Sequence, residues 1–164
     1  MGLTIRGDHH TTTRRINWSY STLHQTVRRV ALLCCGVPEY LDYGNKLDFL
    51  LIFNSRIAGD HLSKSKINED NLCSFIRRMP EAGYRFPNIL FHSDAEGTYT
   101  KTGKVNLQTY MSGNSIELLE ELKILLGSDI LKNKSYEYHQ GCIQDFHDLV
   151  EDIITNGDGV VYFG

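Results

Sequence analysis

The clearest pattern in this sequence is an amphipathic helix near the C-terminus, followed by a short strand. Apolar residues recur there at helical spacing, at Cys142, Ile143, Phe146, Leu149, Val150, Ile153 and Ile154. Acidic residues fall between them, so the pattern predicts a helix with one buried face. Asn156 and Gly157 are typical of a helix end, and the β-branched stretch Gly159–Phe163 predicts a strand after it.

The N-terminal residues Leu3–Arg6 are also rich in β-branched side chains and predict a first strand. Strands at the two ends of a chain often pair in one sheet. Two more helices are expected: one begins near Ser19 or Ser21 and ends before Gly36, and the other begins at Asn114 and ends at Gly127. The sequence therefore predicts one α+β domain over residues 1–164, a small sheet packed against three or four helices.

The middle of the chain is less regular. The apolar run Leu47–Phe53 fits either a buried strand or a core helix. Leu72–Met79 predicts a short helix that Pro80 ends. The run Ile89–Phe91 predicts a strand. The Gly-, Thr- and Ser-rich residues 97–114 predict a loop, which could contain a hairpin around Thr102-Gly103.

Composition places the chain among ordinary globular proteins, with 41% hydrophobic and 23% charged residues. No apolar run approaches the about 18 residues of a membrane span, and the N-terminus has no signal-peptide pattern. The four cysteines form no Cys-x-x-Cys pair. We therefore expect a protein with no membrane association, free thiols and a cytoplasmic location.

The formal net charge of −3 hides an uneven distribution. Residues 1–30 contain five arginines and one acid, whereas residues 117–158 contain ten acids and three lysines. Such a division is typical of an anion-binding face at one end of a molecule, or of helices with acidic exposed faces. Nucleic acid is not an expected partner on this count, because its binders normally carry a larger basic excess.

A histidine-containing segment follows the predicted strand at Ile89–Phe91. His92, Asp94 and Glu96 alternate along the chain, so in an extended segment they project to one side. With Asp8, His9 or His10 they would form a set of ligands for a divalent metal ion such as Zn²⁺. The alternative is structural: Ser93, Asp94 and Gly97 would build a turn.

Two further candidate sites lie near the N-terminus. Arg14 and Arg15, after a threonine run, would cradle phosphate or carboxylate, unless this segment is only a solvated loop. Trp18, Tyr20 and Ser21 lie at the predicted helix start, where an aromatic ring could stack on a base and free N–H groups attract anions. Their structural alternative is a helix cap with a hydrophobic contact.

Several catalytic signatures are missing from the sequence. It contains no Walker loop, no dinucleotide-binding glycine fingerprint and no Gly-x-Ser-x-Gly elbow. Cys142 near His139 could form a thiol nucleophile and base, but both fall on an ordinary amphipathic helix. Because no complete catalytic set is visible, the sequence favours a binding protein over an enzyme.

The segments Trp18–His24 and Leu90–Gly97, with the C-terminal helix and strand, resemble a family of small bacterial and phage proteins. Its members have a Ser-Tyr-Ser helix start and a His-Ser-Asp-x-x-Gly segment, and no established activity. The resemblance implies that Ser19, Tyr20 and Ser21 belong to one site with His92, Ser93, Asp94 and Gly97.

Three functions follow as hypotheses. The favoured one is a cofactor-free module that binds a small anionic, nucleotide-like ligand through Arg14, Arg15, Trp18, Tyr20, Ser21, His92, Ser93 and Asp94. In a phage, by analogy, it would sequester a host defence signal. The second is a metal-dependent phosphoester hydrolase using His9, His10, His92, Asp94 and Glu96. The third is a protein-interaction domain with an acidic C-terminal helix. The oligomeric state, a homo-oligomer included, is open.

Overall fold

Five short strands form one mixed sheet. The computed structural model describes residues 2–8, 10, 14–34, 86–90, 97–104 and 112–164. The strands are β1 (Gly2–Arg6), β2 (Arg15–Ser19), β3 (Gly97–Thr100), β4 (Ser112–Asn114) and β5 (Val161–Phe163). Their order across the sheet is β2-β1-β5-β3-β4. Only the pair β3–β4 is parallel.

The helical elements lie between β2 and β3 or after β4. They are α1 (Tyr20–Thr22), a π-helical segment (Leu23–Arg28), α2 (Arg29–Cys34), α3 (Pro87–Leu90), α4 (Ser115–Leu126), two 3₁₀ turns (Asp129–Lys132 and Lys134–Tyr136) and α5 (Glu137–Asn156). The predicted α+β class is confirmed for this part of the chain.

The pairing of the two ends is confirmed as well. β5 lies between β1 and β3, and Arg6 is directly opposite Tyr162. The backbone N–H groups of Thr4 and Gly164 each donate to the carbonyl of the other, at 2.7 and 3.0 Å. The last strand is therefore central in the sheet, and its position depends on a partner more than 150 residues away.

The hydrophobic core fills the space between one face of the sheet and the helices. Leu3 and Ile5 of β1 are fully buried in it, as are Leu122 of α4 and Phe146 of α5. The apolar positions of α5 that the helical spacing predicted to be buried are buried, apart from the half-buried Ile154. Burial of these side chains is the main stabilising term for the fold.

The predicted start and end of α4 are correct. The Asn114 side-chain oxygen accepts hydrogen bonds from the backbone N–H groups of Ile116 and Glu117, both at 3.0 Å. This is the N-cap interaction that the Asn-x-x-Glu pattern predicted. The helix ends at Leu126, and the N–H of Gly127 donates to the carbonyl of Lys123.

The prediction of a loop over residues 97–114 was wrong in part. Gly97–Thr100 and Ser112–Asn114 are strands that pair with each other, and β3 also pairs with β5. Strands of three or four residues show no clear alternation by themselves, and ladder hydrogen bonds with neighbouring strands stabilise them. The strand β2, for which the sequence carried no prediction, forms in the same way against β1.

The apolar run after Pro87 was also predicted wrongly. Pro87–Leu90 is a short helix and not a strand. Proline favours the first helical position, where its missing N–H costs nothing. The next two N–H groups, of Asn88 and Ile89, donate to the carboxylate of Glu121 at 3.0 and 2.9 Å.

The helix predicted near Ser19 begins at Tyr20, after Ser19 caps it. The hydroxyl of Ser19 accepts a hydrogen bond from the N–H of Thr22 at 3.1 Å. The helical path then widens into a π-segment, a feature that often occurs at functional sites. Its last residue, Arg28, is buried and donates through Nε to the carbonyl of Ile89 at 3.0 Å.

Several predictions fall outside the described residues, among them the helix end at Gly36, the run Leu47–Phe53 and the helix Leu72–Met79. Within the described ranges, no helix has the length and apolarity needed to cross a membrane.

Candidate functional site

The histidine-containing segment singled out in the sequence, with His92, Ser93, Asp94 and Glu96, lies outside the described residues, as does His9. The elements on either side of it are described, α3 before and β3 after. Its roles in ligand or metal binding therefore stay predictions.

A buried polar cluster holds α3 in place immediately before that segment. Asn88 is fully buried and donates through Nδ2 to Glu121 at 2.8 Å and to Glu117 at 3.3 Å. Its side-chain oxygen accepts from the N–H of Asn114 at 2.8 Å, and its carbonyl accepts from the hydroxyl of Tyr99 at 2.6 Å. One asparagine thus connects α3, α4, β3 and β4 through hydrogen bonds.

Glu121 is the ionisable centre of this cluster. Burial raises the pKa of Glu121 to about 8, and the nearby Glu117 adds to the rise. The N–H groups of Asn88 and Ile89 lower this pKa, because they donate to the ionised form, but burial outweighs them. The side chain serves as a buried hydrogen-bond acceptor that positions the chain entering residues 91–96.

The predicted residues around β2 do not share one surface. Arg15 and Asn17 are exposed, whereas Ile16 and Trp18 pack against the core. Trp18 contacts Phe146 edge to face, with ring centroids 5.6 Å apart. Because side chains alternate along a strand, Arg15 and Trp18 lie on opposite faces of β2.

Arg14 comes just before β2 and lies near α5. The pKa of Asp148 is lowered chiefly by hydrogen bonds from His147 and Gln144, and the charge of Arg14 adds a smaller effect. Arg14 and Arg15 are both exposed. The charge of Arg14, however, affects Asp148 of α5, on the helical side of the molecule.

The hydroxyl residues at the start of α1 bond to one another. Ser19 Oγ lies 2.7 Å from Ser21 Oγ and 2.9 Å from Thr22 Oγ1. The side chain of Tyr20 lies outside the described set. His10 is exposed, and its backbone N–H donates to Asp8 at 3.1 Å.

The face of the sheet turned away from the core carries a row of polar side chains, of which only Arg15 was identified from the sequence. Register places Arg15 opposite Arg6, Arg6 opposite Tyr162, and Tyr162 opposite Thr98. The guanidinium of Arg6 lies 5.1 Å above the centre of the Tyr162 ring. We call this set, Arg15, Arg6, Tyr162 and Thr98, the arginine row.

A second row lies beside it, where Thr4 Oγ1 donates to the side-chain oxygen of Asn17 at 3.2 Å. Neighbouring strands are about 4.8 Å apart, so the arginine row spans roughly 14 Å. No described helix packs on this face, since the buried residues of the strands all belong to the opposite one.

Charge is strongly divided between the two layers. None of the five described strands contains Asp or Glu. The two long helices contain eight acids, namely Glu117, Glu120, Glu121, Glu137, Asp145, Asp148, Glu151 and Asp152. Neither Arg6 nor Arg15 forms an ion pair with a described residue. Among the described residues, the sheet therefore presents two arginines side by side with no carboxylate paired to either.

A signal for this site was present in the sequence. Leu3-Thr4-Ile5-Arg6 and Val161-Tyr162-Phe163 alternate apolar and polar residues, which puts Arg6 and Tyr162 on the face opposite the core. Only the pairing register shows that Arg6 and Tyr162 are neighbours. The alternation in Arg15-Ile16-Asn17-Trp18 would have placed Arg15 on the same face of the sheet.

The cysteines offer little nucleophilic chemistry. Burial raises the pKa of Cys142 and of Cys34, so both thiols stay protonated near neutral pH. Burial also lowers the pKa of His139, which keeps this imidazole neutral. A thiolate–imidazolium pair at Cys142 and His139 is therefore disfavoured.

A comparison of the chain with models of protein families, with curated proteins and with solved structures found no match.

Proposed function

We propose that this protein binds a small anionic ligand, a nucleotide-like phosphate compound, on the face of its sheet that no described helix covers. The observation that supports the proposal best is the cross-strand pair Arg6–Arg15, which no described carboxylate neutralises. Like charges directly opposite each other in a sheet are unfavourable. An anion between them would remove this repulsion and accept charge-assisted hydrogen bonds from both guanidinium groups.

The neighbours of the pair fit such a ligand. The cation–π contact with Tyr162 holds the Arg6 side chain over the sheet. Because this side chain is already restricted, it loses less conformational entropy when a ligand binds. Thr98 and Thr4 add hydroxyl groups on the same face. Such groups are suited to the polar atoms of a sugar or a base.

The acidic helices also favour this face. An anion is repelled by the layer formed by α4 and α5 and attracted by the sheet, so the charge division would orient its approach. The overall charge of −3 therefore does not oppose anion binding at this surface.

The proposal differs from the sequence-based pocket in its residues. It keeps Arg15 and adds Arg6 and Tyr162, whereas Trp18 is packed on Phe146 and Arg14 lies near α5. Residues His92, Ser93 and Asp94 remain candidate contributors.

Native mass spectrometry of the protein taken directly from cells is the first experiment. A retained small molecule that dissociates on denaturation would reveal the ligand class by its mass. In parallel, calorimetric titration with inorganic pyrophosphate and with nucleoside mono-, di- and triphosphates should detect binding that weakens as salt increases.

Three variants locate the site. Arg6→Gln and Arg15→Gln should each weaken binding at least about tenfold, since hydrogen bonds to a charged group contribute about 1.5–3 kcal/mol. Lys134→Gln changes an exposed cation in a distant 3₁₀ turn and should leave affinity unchanged. Equal affinities in these three variants would refute the proposed surface. Loss of binding only in a fourth variant, Arg14→Gln, would refute it as well.

A further inference from the structure

One turn of α5 brings three metal-ligating side chains together, away from the arginine row. Each of His147, Asp148 and Glu151 offers one ligand atom, and these atoms all lie within 4.8 Å of one another. Positions three and four residues apart on a helix are neighbours on its surface. Two atoms bound to one Zn²⁺ lie no more than about 4.2 Å apart, so small side-chain rotations would complete the set.

The cluster is already ordered by its own contacts. His147 is only 9% exposed, and its Nδ1 lies 3.0 Å from Asp148 Oδ1. Gln144 donates to the same oxygen at 2.7 Å. These two contacts hold the Asp148 carboxylate in one orientation. Gln144 is not one of the three proposed ligands, and outer hydrogen bonds such as its bond to Asp148 orient ligands in metal sites.

Glu151 completes the cluster and has no use within the described fold. It is exposed and forms no hydrogen bond or ion pair with a described residue. Two carboxylates then face one imidazole, and Arg14 has only a weak influence on Asp148. A simple His147–Asp148 ion pair would leave Glu151 without a partner, whereas a divalent cation would neutralise both carboxylates.

We propose that His147, Asp148 and Glu151 bind a divalent transition-metal ion of the Zn²⁺ type. An imidazole with two carboxylates suits Zn²⁺, Mn²⁺ or Co²⁺, whereas Ca²⁺ and Mg²⁺ prefer oxygen ligands alone. Water would fill the remaining positions, since three protein ligands leave the ion open. The site is on the helical layer, and it is independent of anion binding on the sheet.

The test is a metal titration of the tag-free, chelator-treated full chain. Binding of Co²⁺ alone is monitored through its absorption bands, and binding of Zn²⁺ alone is measured by competition with a metal-binding dye. One equivalent should bind at pH 7.5.

Substitutions at the cluster decide the location. Glu151→Gln removes an exposed ligand and should lower affinity at least about tenfold, as much as the loss of an outer-shell partner costs in known sites. His147→Ala should abolish the Co²⁺ bands. Asp145→Asn, an exposed acid one turn earlier on α5, is the matched control and should bind like the parent protein.

Two results would overturn the proposal. One is the absence of Co²⁺ and Zn²⁺ binding up to millimolar concentration. The other is binding that Glu151→Gln and Asp145→Asn affect equally, which would place the ion elsewhere in the chain. Because Glu151 is exposed, its replacement tests the site even where His147→Ala fails to fold.

Discussion

The buried carboxyl of Glu121 makes the stability of the protein depend on pH, and Glu121→Gln isolates that dependence. In the neutral acid, Oε1 accepts from both nitrogens of Asn88, and the hydroxyl oxygen can still accept from the N–H of Ile89. The side-chain oxygen of a glutamine can still accept from Asn88. Its NH₂ group, however, faces the N–H of Ile89 and cannot accept a hydrogen bond from it. The variant should therefore lose one buried hydrogen bond, at a cost of about 1–3 kcal/mol.

The magnitude of the pH effect follows from the pKa. Its rise from 4.5 to about 8 corresponds to roughly 5 kcal/mol, at about 1.4 kcal/mol per pKa unit. The folded state binds the proton more tightly than the unfolded state. The stabilisation is therefore complete below pH 4.5 and is lost as the pH rises through 8. The glutamine side chain of the variant does not titrate, so the variant lacks this loss.

Urea unfolding of both proteins between pH 5 and pH 8.5 provides the measurement. The wild type should be the more stable protein at pH 5. Its advantage over the variant should fall by roughly 4 kcal/mol across this range, so that the order reverses at alkaline pH. The control is Glu120→Gln, which changes an exposed carboxylate paired with Lys123 and should follow the wild-type curve.

Two stability curves that run parallel within about 0.5 kcal/mol would contradict the raised pKa, since Glu121 would then titrate alike in the folded and unfolded states. A wild type that gains stability relative to the variant as the pH rises would contradict it too, because the hydrogen bonds would then lower the pKa of Glu121 below its ordinary value.

Three further substitutions test the fold and the sheet surface. Gly113→Ala should destabilise the protein by about 1–3 kcal/mol in urea unfolding, because the new methyl group would lie 2.5 Å from the ring of Tyr99; an unchanged midpoint would contradict this packing. Arg15→Gln should stabilise the ligand-free protein by up to about 1 kcal/mol, since it removes the repulsion from Arg6; the gain should shrink in 1 M salt, and a loss of stability would argue against the repulsion. Trp18→Ala should lower the unfolding free energy by about 2–3 kcal/mol, because the ring contact with Phe146 is lost. Its nucleotide affinity, measured by calorimetry, should be unchanged. Loss of affinity in a folded variant would instead place Trp18 in the binding site.

Some residues of the two candidate sites could be identified from the sequence alone. Arg15 was identified because it lies in an arginine-rich N-terminal region, and the acidic character of α5 was evident from its residues. The His147, Asp148 and Glu151 cluster was overlooked because its acids fitted the exposed face of an amphipathic helix. Which acid meets a histidine depends on side-chain positions that spacing alone does not specify.

The sequence by itself determined the elements whose signals are local and long enough to repeat. Helix α5 follows from several turns of apolar periodicity, α4 from the Asn114 cap and the glycine after it, and the terminal strands from β-branched runs. These preferences act between residues close in the chain, so a linear pattern can express them.

Tertiary structure decided the short elements and the surface they build. The helix at Pro87–Leu90 is stabilised by Glu121, more than 30 residues away, and β3 and β4 are stabilised by their ladder partners. The arginine row exists only because β5 inserts beside β1 and aligns Tyr162 with Arg6. Its residues are far apart in the chain, and the register that joins them depends on burial of the whole opposite face.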